Sequence, residues 1–500
     1  MLLALDFLAV DNGNGSASFP SRERSPPIMS ANTGNSPGVN PPSLSGHAAS
    51  DVAHLLHPYT NLKTHEQKGP LIITRGEGVR IWDESGKEYI EGMAGLWCVA
   101  LGFGEERLVE AAARQMRQLP FYHGFAHKSH EPGIELAEKL ISLMPVPMSK
   151  VLFCGSGSEA NDTAMKLVWY YNNARGRHRK KKIIARIKGY HGVTVATASL
   201  TGLPNNHLDF DLPIAHIRHA DCPHYWRAGK PGESEEDFAT RLAESLDAQI
   251  RREGPDTVAA FIAEPIQGAG GVILPPRTYF EKIQRVLKQH DVLLIADEVI
   301  CGFGRTGRMF GSETFGLAPD IVTVAKALSS AYLPIAATIV SEALYQSFVT
   351  ESEKIGVFAH GYTYAGHPVC AAVALEALRL YEERNILAHV EAMSPLFLDG
   401  LRRFAAHPLV GEVRGAGLIA GVELVRDKAA KESFDPKIAA ASVFANHAQE
   451  RGLIVRPLGE TVALCPPLVI GEADIAELLT RFGQALDDTL ASLRQAGALA

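Results

Sequence analysis

A chain of 500 residues, 46% hydrophobic, 21% charged and 7% aromatic, has the make-up of a globular protein with a large core and two or three domains. Its 49 Lys and Arg against 56 Asp and Glu leave a net charge of −7, which excludes a nucleic-acid binder working through bulk positive charge. Six cysteines stand singly at 98, 154, 222, 301, 370 and 465, without the spacing of a zinc site or a disulfide framework, so reduced thiols in a cytoplasmic protein are expected.

The opening MLLALDFLAV is apolar, but it has no basic flank, carries Asp6 and is followed by no small-residue cleavage site. It reads poorly as a signal peptide, and no later stretch approaches the ~20 apolar residues of a membrane span. Residues 11 to about 50 are rich in Gly, Ser, Asn and Pro and predict a disordered tail over 1–50. Residues 51–100 predict the first segment of a small domain, with a hairpin at Ile72–Trp82 around Gly-Glu-Gly. From 101 to 375 helices and strands alternate. Helices are expected at 131–144 and at 234–252, where Phe238, Leu242, Leu246 and Ile250 recur every fourth position. Apolar runs at 151–154, 183–187, 258–263, 292–296, 321–325 and 336–340 are continuous rather than alternating, which suits strands buried on both faces of a mostly parallel sheet. The basic run Arg175–Lys182 predicts a solvated loop. Residues 376–500 predict the rest of a smaller α+β domain: a helix, a Gly-rich strand at 415–424, another helix and an amphipathic helix from Ala473.

Three features carry chemistry. Gly155–Asp162 (GSGSEAND) follows a strand and opens a helix, so its backbone N–H groups and Ser hydroxyls form an anion site; the same Ser156 and Glu159 equally fit a capping box with no ligand. Asp297 ends the strand VLLIA, and Lys326 ends the next strand, IVTVA, so an acid and an amine face one crevice at the carboxyl ends of neighbouring strands. An aspartate can hold a pyridinium proton and a lysine can form a Schiff base. Gly302–Gly307 (GFGRTG) matches G-x-G-x-x-G in form, but a turn-rich polar stretch follows where a dinucleotide site needs a helix, so the dinucleotide reading is rejected.

The motifs GSGSEAND, GYHG (189–192), AEPIQGAGG (263–271), ADEVICGFGRTG (296–307), Lys326 and HGYTYAGHP (360–368) resemble, in order, the class III, fold-type-I aminotransferases that use pyridoxal 5′-phosphate (PLP). GLWCVALGFG (95–104) and SLTGLP (199–204) resemble the ω-amine:pyruvate branch. The resemblance covers residues 55–490 and implies an α/β large domain with a mostly parallel sheet flanked by helices, plus a smaller α+β domain from both ends of the chain. It implies that Lys326 carries the cofactor and acts as the base in the 1,3-proton shift, and that Asp297 pairs with the pyridine nitrogen. Ser156, Gly157 and Ser158 would contact the phosphate, joined by Thr363 of a neighbouring subunit. Tyr190 would stack on the ring and Val299 would cover its other face. Glu264 and Gln267 would belong to the pocket wall, with His191 either structural or catalytic.

Amino-acid-type relatives carry an arginine in R-F-A-P-P-L; here that stretch is ALCPPL and Ala463 stands in its place. Arg456 instead matches the mobile arginine of the amine:pyruvate branch, which clamps a carboxylate bidentately. Leu96 and Trp97 would line the amine's pocket. Gly155 departs from the Asn or Thr common in relatives, which removes a side-chain contact from the phosphate loop. The resemblance thus implies a homodimer, or a tetramer, that moves an amino group from a primary amine or ω-amino acid to pyruvate by a ping-pong mechanism. A PLP-dependent aminomutase, racemase or decarboxylase on the same fold is the alternative. No metal is expected.

Overall fold

The computed structural model describes residues 44–499 and divides by its contacts at Pro70/Leu71. The part before the division holds two short helices, Gly46–His54 and Leu62–Lys68; the second is capped by Asn61, whose Oδ1 accepts the N–H of Thr64 at 3.0 Å. His57 and His65 both bond Asp51 through Nε2, at 2.8 and 3.0 Å. The helix Gly46–His54 begins inside the stretch expected to be disordered and crosses the expected boundary at residue 50. The rest of that tail, 1–43, lies outside the described residues.

Beyond the division a seven-stranded sheet runs, edge to edge, Lys150–Cys154, Ala336–Val340, Ile321–Val324, Leu293–Asp297, Val258–Ala263, Lys182–Arg186 and Ile217–Ala220. The five strands from Ile321–Val324 onward are parallel, while Ala336–Val340 runs antiparallel to both its neighbours. All six residues of Val258–Ala263 are buried, because helices cover both faces. On one face Phe261 packs with Phe238, Leu242, Leu246 and Ile250 of the helix Glu235–Glu253, and on the other Ala260 and Ile262 meet Ala164, Leu167 and Val168 of Gly157–Ala174. The strand pleat alone sends neighbouring residues to opposite layers.

The two chain ends build one of the remaining sheets together, and the C-terminal part alone builds the other. Strands Ile73–Glu77, Arg80–Asp83 and Glu88–Glu91 form an antiparallel meander, and Leu453–Ile454 joins it in parallel beside Glu88–Glu91. The other sheet is Val410–Ala416, Ile419–Leu424, Thr461–Leu464 and Arg456–Leu458. The single strand expected at 415–424 is therefore a hairpin, turned at Gly417 with φ +58°. The expected boundary at 375/376 falls within the helix Pro368–Glu383, which is buried along most of its length. The basic run is likewise more than a solvated loop: Lys180 is buried, Arg177 pairs with Asp291, Arg179 with Asp256 and Lys182 with Glu253.

Arg414 fastens the C-terminal sheet to the loop after Gln267. Its buried guanidinium donates to Glu412 at 2.5 Å, Glu423 at 2.7 Å, the carbonyl oxygen of Gly271 at 2.6 Å and that of Val272 at 3.0 Å. Removing one member of a buried ion pair leaves its partners uncompensated, so Arg414→Ala should cost about 3 kcal/mol. Urea denaturation checks this; a loss below about 1 kcal/mol would mark the cluster as an ordinary surface network.

Candidate active site

The site forms where parallel strands end. Asp297 is the last residue of Leu293–Asp297 and pairs in register with Thr323 of Ile321–Val324, so Asp297 and Lys326 leave adjacent strands at the same edge. Lys326 opens a tight turn in the left-handed region, φ +51°, a conformation that persists only where the surroundings impose it. Burial holds its amine below the ordinary lysine value, against the opposing pull of Asp297. An amine so placed spends more of its time as the free base, the form that acts as nucleophile and proton acceptor.

Asp297 is almost completely buried, and a carboxylate there needs donors. Oδ2 accepts from Nδ1 of His191 at 2.8 Å and from Nδ2 of Asn161 at 2.7 Å, and Oδ1 accepts from the N–H of Val299 at 3.1 Å. Asn161 also donates to the carbonyl oxygen of His191 and accepts from Thr323 Oγ1 at 2.7 Å. His191 is thereby placed as the residue that orients Asp297; its Nε2 is buried without a partner among the described residues.

The remaining residues close on these two. Ser156 caps the helix Gly157–Ala174 by accepting the N–H of Glu159 at 3.2 Å. The Glu159 carboxylate accepts from Gly155 N at 2.6 Å, one residue before the position a capping box requires. First-turn N–H groups have no partner inside a helix, and here they open beside residues that leave no room for extra atoms. A Cβ on Gly157 would lie 3.0 Å from Val299 and 3.6 Å from Ala325, the neighbour of Lys326. Gly192, at φ +134°, lies so close to Ser158 that a Cβ would stand 2.5 Å from its hydroxyl. Glu264 accepts from the N–H of Tyr190 at 2.9 Å and of Gly268 at 2.8 Å, and burial raises its carboxyl above the usual range. Gln267 donates to the carbonyl oxygen of Ile187 at 2.9 Å. One contiguous cradle thus holds Gly157, Ser158, Tyr190, His191, Glu264, Asp297, Val299 and Lys326.

Trp97 is buried with Met93, Ile266, Ile300, Ala463 and Cys465, whereas Leu96 is exposed. Arg456 pairs across its hairpin with Ala463, so both side chains leave the same face of that sheet, the face Ala463 turns to Trp97. Thr363 lies on the exposed rim of a groove of about 770 Å³, shared with Gly155, Glu159 and Tyr362. The G-x-G-x-x-G stretch is structural: Arg305 within it is buried and donates to the carbonyl oxygens of Leu418 at 3.0 Å and Pro466 at 2.6 Å. Asn161 and Thr323 were not foreseen as site residues. A buried Asn on an apolar helix face, between Ala160 and Ala164, is the signal that points to Asn161.

A helix N-terminus without side-chain bulk for a phosphate, a carboxylate held by two side-chain donors and a desolvated lysine define a PLP-type site. Comparison with known proteins agrees: the model of the family Aminotransferase class-III matches residues 62–486, so the chain belongs to the class III aminotransferases, enzymes that use PLP. A protein named probable γ-aminobutyrate transaminase 2, mitochondrial, from Oryza sativa subsp. indica is 51% identical over 466 residues, covering 93% of this chain and 91% of the relative. The γ-aminobutyrate transaminase 1, mitochondrial, of Solanum lycopersicum is 51% identical, covering 87% of this chain and 85% of the relative. The crystal structure of the omega transaminase from Pseudomonas jessenii in complex with PMP has a TM-score of 0.89 at 54% identity, covering 91% of this chain and 100% of that one. A transaminase structure with L-Ala has a TM-score of 0.84 at 57% identity, covering 85% and 100%.

Glu298, next to Asp297, is fully buried and accepts from Gly311 N at 3.0 Å and from Ser312 N and Oγ at 2.6 Å; burial pushes its carboxyl up to about 7. Between the ordinary Glu value and about 7 the native state keeps a proton that the unfolded chain has lost. Stability from this group therefore falls as pH rises through that window, by at most about 1.4 kcal/mol per unit, and is flat on either side. Glu298→Gln should remove this slope. Wild-type stability minus variant stability, from urea denaturation, should fall with rising pH and level off above about 7; a constant difference refutes the assignment.

Proposed function

We propose that this aminotransferase moves the amino group of a primary amine or ω-amino acid to pyruvate, releasing a carbonyl compound and alanine, in two alternating half-reactions at one site. The observation that carries the reading is the cross-strand pair Arg456–Ala463, which puts a cation on the Trp97 face of the pocket and an alanine where amino-acid-type members have their arginine. Cys98 and Cys465 lie close enough to Lys326 to feel its charge, which joins that face to the reacting lysine. Arg456 clamps the carboxylate of the keto acid, and it can also receive the distal carboxylate of a γ-amino acid. The relatives named γ-aminobutyrate transaminases and the neighbour solved with L-Ala, the amination product of pyruvate, support this choice of partners.

When bound, PLP supplies the electron sink and carries the amino group between the half-reactions. The protein's own residues do the rest. Asp297, oriented by His191 and Asn161, presents a carboxylate to the ring nitrogen; the first turn at Gly157 and Ser158 binds the phosphate; Lys326 takes and returns the proton. We place the active unit as a homodimer. The exposed Thr363, with the exposed rings of Tyr122, Phe125 and Tyr364, supports a second subunit covering this side. The unpaired cysteines support a reducing compartment, the cytoplasm, although the plant relatives carry mitochondrial names.

PLP-loaded protein should lose its long-wavelength absorbance with a primary amine or γ-aminobutyrate alone, then regain it with pyruvate as alanine forms, while Lys326→Ala should do neither. Turnover of a single substrate without a keto-acid acceptor would instead mark an isomerase or decarboxylase. Arg456→Ala should raise the KM for pyruvate by about tenfold or more with kcat for a neutral amine little changed. A change confined to the amine's KM would overturn the clamp.

A further inference from the structure

The turn that carries Trp97 is strained in an unusual way. Within it Ala94, Gly95 and Trp97 have φ of +46°, +64° and +66°, the left-handed region that a bulky aromatic residue disfavours strongly. Such strain survives only where neighbouring groups over-determine it, and it gathers at ligand sites.

Both ends of the turn are tied down. At its start Gly92 donates to the carbonyl oxygen of Ile454 at 3.0 Å and accepts from Cys465 N at 2.7 Å, so it joins both strands of the Arg456 hairpin at their base. No larger residue fits there, since a Cβ would lie 2.6 Å from the Ile454 oxygen. At its end the N–H of Leu101 donates to Ser330 Oγ at 2.9 Å, on the turn that begins at Lys326. The middle is held by Glu91. Its carboxylate is buried and accepts the N–H of Met93 at 2.8 Å, with the N–H of Gly95 near by. No Lys or Arg among the described residues pairs with it.

A buried carboxylate that answers no cation and accepts from the backbone of a strained turn is placed to hold that turn. We propose that Glu91 is the positioning residue that sets the Trp97 turn and, through it, the size of amine the site admits. The second half of this statement rests on the amine-donor reading above. Glu91 touches no reacting atom; it acts through Trp97.

Two measurements on PLP-loaded enzyme test it, using Glu91→Ala and the near-isosteric Glu91→Gln. Hydrogen exchange followed by mass spectrometry should show protection over 92–98 falling about tenfold in the Ala variant and less in the Gln variant, which keeps one acceptor. Protection in the helix Glu472–Gln495 should not change. In steady-state kinetics with short, branched and arylalkyl amines, the KM for small amines should rise about tenfold in the Ala variant and discrimination between small and bulky donors should shrink, while the KM for pyruvate moves less than about threefold. Unchanged protection over 92–98 would overturn the proposal, and so would lost protection with donor discrimination intact. If the wild-type enzyme turns over no primary amine, the donor reading falls and takes the size limit with it; exchange then decides the positioning role alone.

Discussion

A carboxylate sunk below the surface of a protein has to be met by donors, and at Asp297 that requirement organises everything around it. Asn161 reaches it from the first turns of Gly157–Ala174, His191 from the loop after Lys182–Arg186, and the Val299 N–H from two residues further on. Three segments far apart in sequence are thereby held to one point at the carboxyl edge of the sheet. Once they are held, the helix start at Gly157, the Tyr190 loop and the lysine turn have little freedom left. Gly157 against Val299 and Gly192 against Ser158 show how tightly the surfaces close. One cradle thus offers a buried anion at Asp297 and a helix N-terminus at Gly157.

The second level of organisation is the junction between this cradle and the sheets made by the chain ends. Arg414 bonds the loop that follows Gln267, Gly92 bonds the base of the Arg456 hairpin, and Leu101 bonds Ser330 beside the lysine turn. Polar contacts of this kind have direction and fix register, which apolar burial does not. They explain how a pocket wall drawn from both ends of the chain can be as definite as the strand ends that carry the lysine and the aspartate.

Much of this was legible from residues alone, for physical reasons. Continuous apolar runs such as VAAFIA can be buried on both faces only as inner strands, and four-residue periodicity from Phe238 to Ile250 can pack one stripe only as a helix. The acid and lysine were readable because each ends such a run. Less was readable where local pattern has no sign. Runs such as AATIV look the same in parallel and antiparallel strands, and Ala336–Val340 turned out to oppose its neighbours. A glycine-rich run hid a hairpin, and a helix buried along most of its length ran across the expected domain boundary.

Residue types and their order were enough to establish the cofactor class and to single out Lys326 and Asp297, because those chemistries allow few substitutes and each residue sits at a fixed place in its motif. Distances between remote positions decided the rest. That His191 serves Asp297, that Gly92 bonds Ile454 and Cys465, and that Arg414 reaches the loop after Gln267 are consequences of long-range pairing. A linear chain carries no record of which distant backbone groups will become neighbours, so only the folded structure could supply them.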